Sequence, residues 1–186
     1  SDELVAGGAI RADSRRDLTW FQQGGYHRDP RRGMTVLVQS RPLLEHHIRR
    51  RVAALPNVTL LDGCRVTGLI ATRDRTRVSG VRITTTADPE REHELRAALT
   101  IDASGRGSRL PAWLADLGVD VPAPVTAGVE ARYATRHFRR APAQTGPRSV
   151  TVVVASPETR RGGVMLAQEG DRWLVTLAGR AGQQPP

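Results

Sequence analysis

The sequence predicts a mixed α/β (α+β) fold in two lobes, and three observations carry that reading. Leu44, Ile48, Val52 and Leu55 recur at helical spacing, which gives one helix an apolar stripe. Leu99-Thr100-Ile101, with two β-branched residues, runs through Asp102-Ala103-Ser104-Gly105-Arg106-Gly107-Ser108-Arg109 into a second helical pattern over 110–117. Strand, small-residue turn and helix in that order is how an open α/β sheet offers backbone N–H groups to an anion. The same order also builds a βα turn that binds nothing. After Val121-Pro122-Ala123-Pro124 the pattern changes to period-two strands, which predicts an antiparallel sheet and places a lobe boundary near residue 120.

In chain order, the first 33 residues read as polar and loop-rich, with Gly7-Gly8, Gly24-Gly25 and Asp29-Pro30-Arg31-Arg32 as turns and one strand over 18–21. A short strand is expected over 35–38. Ser40-Arg41-Pro42-Leu43-Leu44-Glu45 opens the helix: Pro42 suits a first turn, where its missing N–H is no loss, and Glu45 favours the positive end of the dipole. Pro56 stops it. Arg49, Arg50 and Arg51 fall largely opposite the apolar stripe, so the stripe is expected to pack on a sheet. His46 and His47 are adjacent, share no helix face and predict no metal pair.

Residues 58–61 predict a strand, Asp62-Gly63 a turn, and 65–72 and 77–86 the arms of a hairpin, giving a three-stranded meander ahead of a buried strand at 95–101. In the second lobe, residues 129–139 alternate, with Val129, Ala131, Tyr133 and Thr135 on one face and Glu130, Arg132 and Arg136 on the other. Strands over 150–155, 163–168 and 172–178 follow, and one face is expected to wall an apolar pocket. His137 and Tyr133 are candidates for that pocket, although lone polar groups on a strand also serve structure alone.

A chain of 186 residues suffices for one cored domain or two small lobes, and 39% hydrophobic with 25% charged residues is a globular balance. No stretch approaches the ~18–20 apolar residues that span a bilayer, and no signal-peptide pattern opens the chain, so a cytoplasmic protein without a membrane span is expected. The single Cys64 forms no intrachain disulfide and is expected to be a buried small apolar residue. A net charge of +9 invites a nucleic-acid reading. Against it, all 28 basic residues are arginine, spread along the chain without aromatic interleaving, as the codon usage of a GC-rich genome would leave them.

Gly105-Arg106-Gly107-Ser108-Arg109-Leu110 imitates a dinucleotide fingerprint, but Leu110 stands where the third glycine lets a helix pack closely on its strand. No nucleophile elbow, zinc spacing, P-loop or catalytic carboxylate pair is present, and no catalytic residue is assigned. The order of the pieces says more. Ser40-Arg41-Pro42-Leu43-Leu44-Glu45, the basic helix, Pro56-Asn57-Val58, the hairpin with Val66-Thr67-Gly68-Leu69 and Val78-Ser79-Gly80-Val81, and then Ile101-Asp102-Ala103-Ser104-Gly105 together resemble the FAD-dependent monooxygenases. These are the aromatic-hydroxylase-like flavoproteins and their halogenase, epoxidase and prenyl-reductase relatives. The resemblance covers residues 36–113, and Trp173-Leu174-Val175-Thr176-Leu177 looks like a strand of that family's substrate lobe.

The resemblance implies a partial FAD-binding Rossmann-like lobe with an inserted β-meander over 1–120 and an antiparallel-sheet substrate lobe over 121–186. It implies FAD as cofactor, NAD(P)H as co-substrate and hydroxylation of a small apolar or aromatic molecule. Arg41 matches the arginine that reaches the FAD pyrophosphate or ribose, or else forms a surface ion pair. Val66 matches the backbone contact to adenine, or is an ordinary hairpin residue. Asp102, Ala103 and Gly105 match the second fingerprint that passes the pyrophosphate, and Asp102 is equally suited to capping the turn. The family's opening G-x-G-x-x-G loop and later Gly-Asp motif have no counterpart in the sequence. The expectation is therefore a segment of a longer flavoprotein with weak or no FAD affinity of its own. The alternatives are a prenyl-reductase-type flavoprotein and a non-catalytic ligand-binding domain.

Overall fold

The computed structural model describes residues 1–27, 33–128, 130–141, 148–180 and 182. The expected Asp29-Pro30-Arg31-Arg32 turn and the inward placing of Val129 lie outside the described residues. The N-terminal part holds α1 (Asp2–Ala6), β1 (Ile10–Asp13), β2 (Leu18–Gln22), β3 (Gly25–Tyr26), β4 (Thr35–Val38) and α2 (Arg41–Ala53). Next come β5 (Cys64–Ala71), β6 (Val78–Thr85), β7 (His93–Arg96) and α3 (Leu110–Asp116), then β8 (Ala131–Arg139), β9 (Val150–Val153), β10 (Arg161–Gln168) and β11 (Arg172–Arg180). The chain's own packing groups it as two units, Ser1–Val58 with Ala127–Pro186, and Thr59–Thr126. The sequence reading divides it instead at residue 120.

In the first unit a six-stranded sheet runs in the order β3-β2-β9-β10-β11-β8. The four C-terminal strands form where period-two patterning places them, and β10 meets β11 through a turn in which Gly170 (φ +69°) and Asp171 (φ +48°) take left-handed backbone. The expected antiparallel sheet is nonetheless mixed, because β2 lies parallel to β9 with Leu18 opposite Val150 and Phe21 opposite Val153. The N-terminal segment is correspondingly more ordered than its polar, glycine-rich sequence suggests. Alternation turns Leu18, Val150, Val152 and Leu166 to one face, where they pack with Ala12 and Val38 of the β1–β4 pair to form the core.

Helix α2 begins where expected, with Ser40 Oγ accepting from Leu43 N at 3.2 Å. Its buried side is a correction. Ile48, Val52 and Leu55 are 52%, 37% and 49% exposed, and the buried residue of α2 is His47, whose Nδ1 lies 3.0 Å from the Leu43 carbonyl oxygen. A Cβ on Gly7 would stand 2.7 Å from His47 Cε1, so the glycine at the end of α1 is what admits the imidazole. The geometry of that contact, rather than the hydrophobic stripe, sets how α2 is turned.

In the second unit the expected hairpin forms as β5 and β6, and β7 rather than residues 58–61 completes a three-stranded antiparallel sheet in which Leu69, Ile70 and Ile83 are buried. Its third strand is His93–Arg96, and residues 58–61 form no strand. Residues 99–101 form none either: Leu99 and Ile101 are 74% and 79% exposed. The last ladder-like bond runs from Ala97 N to Ser79 O at 3.0 Å, and beyond it no described strand lies alongside. Apolar, β-branched sequence makes a strand only where a neighbour supplies hydrogen bonds. Cys64, expected buried, is exposed, with its Sγ 3.7 Å from Asp62 O.

Gly80 is the tightest point of this meander. Its φ is +149°, and a Cβ there would meet Leu95 O at 2.1 Å and Arg96 Cα at 2.9 Å. Gly80→Ala is therefore expected to destabilise the second unit by roughly 1–3 kcal/mol from backbone strain alone, with β7 leaving β6. Thermal unfolding together with amide exchange at Ala97 checks this, and an unchanged Ala97 protection would contradict it.

Candidate functional site

The loop from Asp102 to Arg109 is shaped from within by one carboxylate. Asp102 Oδ1 accepts from Ser104 N at 2.9 Å and from Ser104 Oγ at 2.5 Å, while Oδ2 accepts from Ser108 Oγ. Ser108 Oγ in turn accepts from Leu110 N at 3.0 Å, which ties the loop to the first turn of α3. The hydroxyl of Ser104 first, then those of Ser108 and the Ser104 amide, hold the Asp102 carboxyl below its ordinary value. Asp102 thus fills the capping role weighed for it in the sequence, with its oxygens committed to the loop.

Between Ser104 and Ser108 the chain makes one short 3-10 turn, Gly105–Gly107. Gly105 has φ +71°, and a Cβ at Gly105 or Gly107 would meet nothing within 4 Å. The glycines leave backbone open to solvent on this side, and left-handed φ makes Gly105 the costly one to replace. Beside the loop lies a cavity of about 610 Å³ whose apolar wall is Val66, Leu69 and Val81 of the hairpin with Trp113 and Leu114 of α3. Asp102, Ser104 and Arg109 line its polar end, and the Arg109 guanidinium stands 5.6 Å from the Trp113 ring centre. Of the residues singled out by sequence, Val66 and Asp102 share this cavity. Ala103 and Gly105 are exposed in the loop and do not line it.

Arg41 belongs to the first unit, at the first turn of α2. Its side chain is 86% exposed and its Nε donates to Glu45 Oε1 at 2.6 Å, the surface ion pair weighed for it in the sequence. That hydrogen bond, with the charge of Glu45 behind it, raises the Arg41 pKa. A cation in such an exposed i,i+4 pair is held weakly and exchanges partners readily. The helix start is itself occupied: Glu169, from the β10–β11 turn, accepts from Ser40 N through Oε2 at 2.9 Å. Partial burial pushes the Glu169 carboxyl up, but the Ser40 bonds and the Arg172 guanidinium outweigh it and leave the carboxyl below its usual value. Sequence reasoning missed Glu169 because nothing local in Gln168-Glu169-Gly170-Asp171 announces a partner so distant along the chain.

On β8 both faces border cavities, and His137 lines one of about 570 Å³ with Phe138 and Arg140. An apolar hollow of about 400 Å³ is lined by Ala134, Thr135, Arg136 and Phe138 with Val175 and Leu177. The register sets Ala134 opposite Leu177 and Arg136 opposite Val175, so these share a face, and Tyr133, Thr135 and His137 take the other. Tyr133 is 69% exposed, and His137 Nε2 lies 3.1 Å from Gln168 Oε1. Among the described residues, no three His, Cys, Asp or Glu side chains stand together as a metal site, and no helix is long and apolar enough to cross a membrane.

No protein-family model matches the chain. Protein Rv3254 of Mycobacterium tuberculosis (strain ATCC 25618 / H37Rv) is 35% identical over 191 residues, a match that takes in 99% of this chain and 40% of that protein. Among solved structures, PqsL of Pseudomonas aeruginosa, a probable FAD-dependent monooxygenase, superposes on 96% of the chain with a TM-score of 0.66 at 15% identity. The flavin-dependent brominase Bmp2 does so over 96% with a TM-score of 0.61, also at 15% identity. The chain spans 45% of the PqsL structure and 41% of the Bmp2 structure, under half of each. At that identity the likeness is one of fold: the chain is folded as part of an FAD-dependent monooxygenase is folded.

The Asp102 loop makes a direct test. Because the carboxyl is held low by donors present only in the folded loop, its contribution is complete above the ordinary aspartate range and is lost as pH falls through the lowered value. The carboxyl carbon of Asp102 is expected to titrate below the ordinary aspartate range, with Ser104 amide exchange accelerating over the same pH range. A midpoint within that ordinary range would contradict the bonding described.

Proposed function

We propose that the chain forms part of an FAD-dependent monooxygenase that hydroxylates a small apolar or aromatic molecule with NAD(P)H and O2. The observation that carries this reading is the loop 102–109: a turn fixed from within, with open glycine backbone, running into α3 beside an apolar cavity. Its fit to the cofactor rests on those open positions at Gly105 and Gly107 and on Arg109 at the polar end of the cavity. Phosphate is matched by backbone N–H groups and a guanidinium, and an aromatic ring by an apolar wall. The fold shared with PqsL and Bmp2 supports the assignment, and PqsL is known in complex with 2-aminobenzoylacetate.

In this reading the backbone around Ala103 and Gly105 approaches the pyrophosphate, and Val66 meets the adenine. Asp102 keeps the loop in the shape that makes the approach possible, since its oxygens are already committed to Ser104 and Ser108. Arg41 supplies a charge-assisted contact to phosphate or ribose, for which it exchanges Glu45. When bound, FAD would supply the redox chemistry, passing two electrons from a reduced nicotinamide to dioxygen so that one oxygen atom enters the substrate and the other leaves, with two protons, as water. The apolar cavity walls exclude water from the bound cofactor. The division into a cofactor lobe (1–120) and a substrate lobe (121–186) belongs to this proposal.

The test is FAD titration, first of the chain and then of the same residues within a protein as long as Rv3254. The chain alone is expected to bind FAD weakly and to purify colourless. In the longer protein, Arg41→Ala is expected to weaken FAD about tenfold to a hundredfold. Gly105→Val should weaken it further, while Arg73→Ala on the exposed hairpin turn changes nothing. Equal affinities for wild type, Arg41→Ala and Gly105→Val would refute the proposed site.

A further inference from the structure

We propose that Glu169 is a positioning residue for Arg41: by holding the amide of Ser40 it aims the Arg41 side chain at the cofactor. This deepens the flavoprotein reading and rests on it for the role given to Arg41. A helix that starts at a serine is often closed by two reciprocal bonds. The serine hydroxyl takes the amide three residues on, and a Glu or Gln at that position returns a bond to the serine amide. In α2 the first bond is present, with Ser40 Oγ accepting from Leu43 N at 3.2 Å, but the residue three on is Leu43 and has no acceptor to return. The acid of the helix itself, Glu45, is engaged with the Arg41 guanidinium.

Glu169 supplies the missing half from 129 residues away, its Oε2 accepting from Ser40 N at 2.9 Å. The place of Glu169 is fixed in turn. Arg172 donates through Nε to its carbonyl oxygen at 3.2 Å and through Nη2 to Oε1 at 3.3 Å. Gly8, at φ +106°, makes room for it, since a Cβ there would stand 2.9 Å from Glu169 Cβ. Ser40 is the last extended residue before α2, with φ −71° and ψ 154°, and Arg41 is the first side chain beyond it. A change in either angle swings the whole Arg41 side chain. That side chain is 86% exposed, so its aim is set at its root rather than by packing along its length. A carboxylate near the approach of a phosphate brings repulsion, so what Glu169 contributes to binding is its reach to Ser40 N and not its charge.

FAD titration of a protein as long as Rv3254, with two variants at this one position, separates reach from charge. Glu169→Gln keeps the reach and an acceptor oxygen without the charge, and is expected to bind FAD within about twofold of wild type. Glu169→Asp keeps the charge but is one methylene short, and should weaken FAD about threefold to tenfold. Added to Arg41→Ala, the same Glu169→Asp change should weaken FAD by less than about twofold more, because the side chain it aims is gone. Circular dichroism confirms that each variant is folded at the titration temperature, and Ser40 amide exchange should accelerate in the Asp variant and not in the Gln variant. Wild-type affinity in Glu169→Asp, a Gln variant as weak as the Asp variant, or a full further loss on top of Arg41→Ala would each overturn the proposal. A wild type that takes no FAD sinks the flavoprotein reading and this inference with it. FAD binding that falls for Arg41→Ala and not for Glu169→Asp sinks this inference alone.

Discussion

The first unit depends on one pairing, the parallel registration of β2 on β9 from Leu18 opposite Val150 to Phe21 opposite Val153. The core beneath it draws Ala12 and Val38 from one end of the chain and Val150 from the other, so neither end has a core alone. A parallel pair needs a long crossover rather than a tight hairpin, and here the crossover holds an entire second unit, Thr59–Thr126. Closing so long a loop costs entropy that grows only slowly with its length. What the insertion must not do is interrupt the sheet, and β9 is flanked on both edges, by β2 and by β10.

Two carboxylates with lowered pKa organise backbone instead of performing chemistry. Asp102 gathers donors from Ser104 and Ser108 and fixes a loop, and Glu169 takes the Ser40 N–H and fixes the start of a helix. A perturbed carboxyl often marks a functional site, but the sign matters. A general acid needs its pKa raised toward neutrality, whereas both of these are held ionised and fully hydrogen-bonded. Each acts on backbone: Asp102 on the turn that carries Gly105, Glu169 on the Ser40 amide at the start of α2.

Local chemistry made much of this legible. Pro42 and Ser40 mark the start of α2, the hairpin around 73–76 follows from two alternating runs, and the four C-terminal strands follow from period two. What failed were inferences that turned on a particular distant partner. Residues 99–101 have strand composition but no neighbour to pair with, so Leu99 and Ile101 stay exposed. The stripe of Ile48, Val52 and Leu55 has the right spacing, yet α2 is turned by the fit of His47 against Gly7. Strand β2 was visible, but its parallel partner was not, because nothing in a strand's own sequence names the strand it will lie beside. In the candidate site the same division holds: the Asp102 turn is local and was readable as a cap, whereas the Glu169 contact is a product of register.

The central claim is that the two ends of the chain share one sheet, and inter-strand nuclear Overhauser effects test it most directly. In the isotopically labelled 186-residue chain, cross-peaks between the backbone protons of Thr19 and Thr151, and of Phe21 and Val153, are expected in the pattern of a parallel pair. Cross-peaks from β2 to β9 in an antiparallel pattern, or none to β9, would contradict the account.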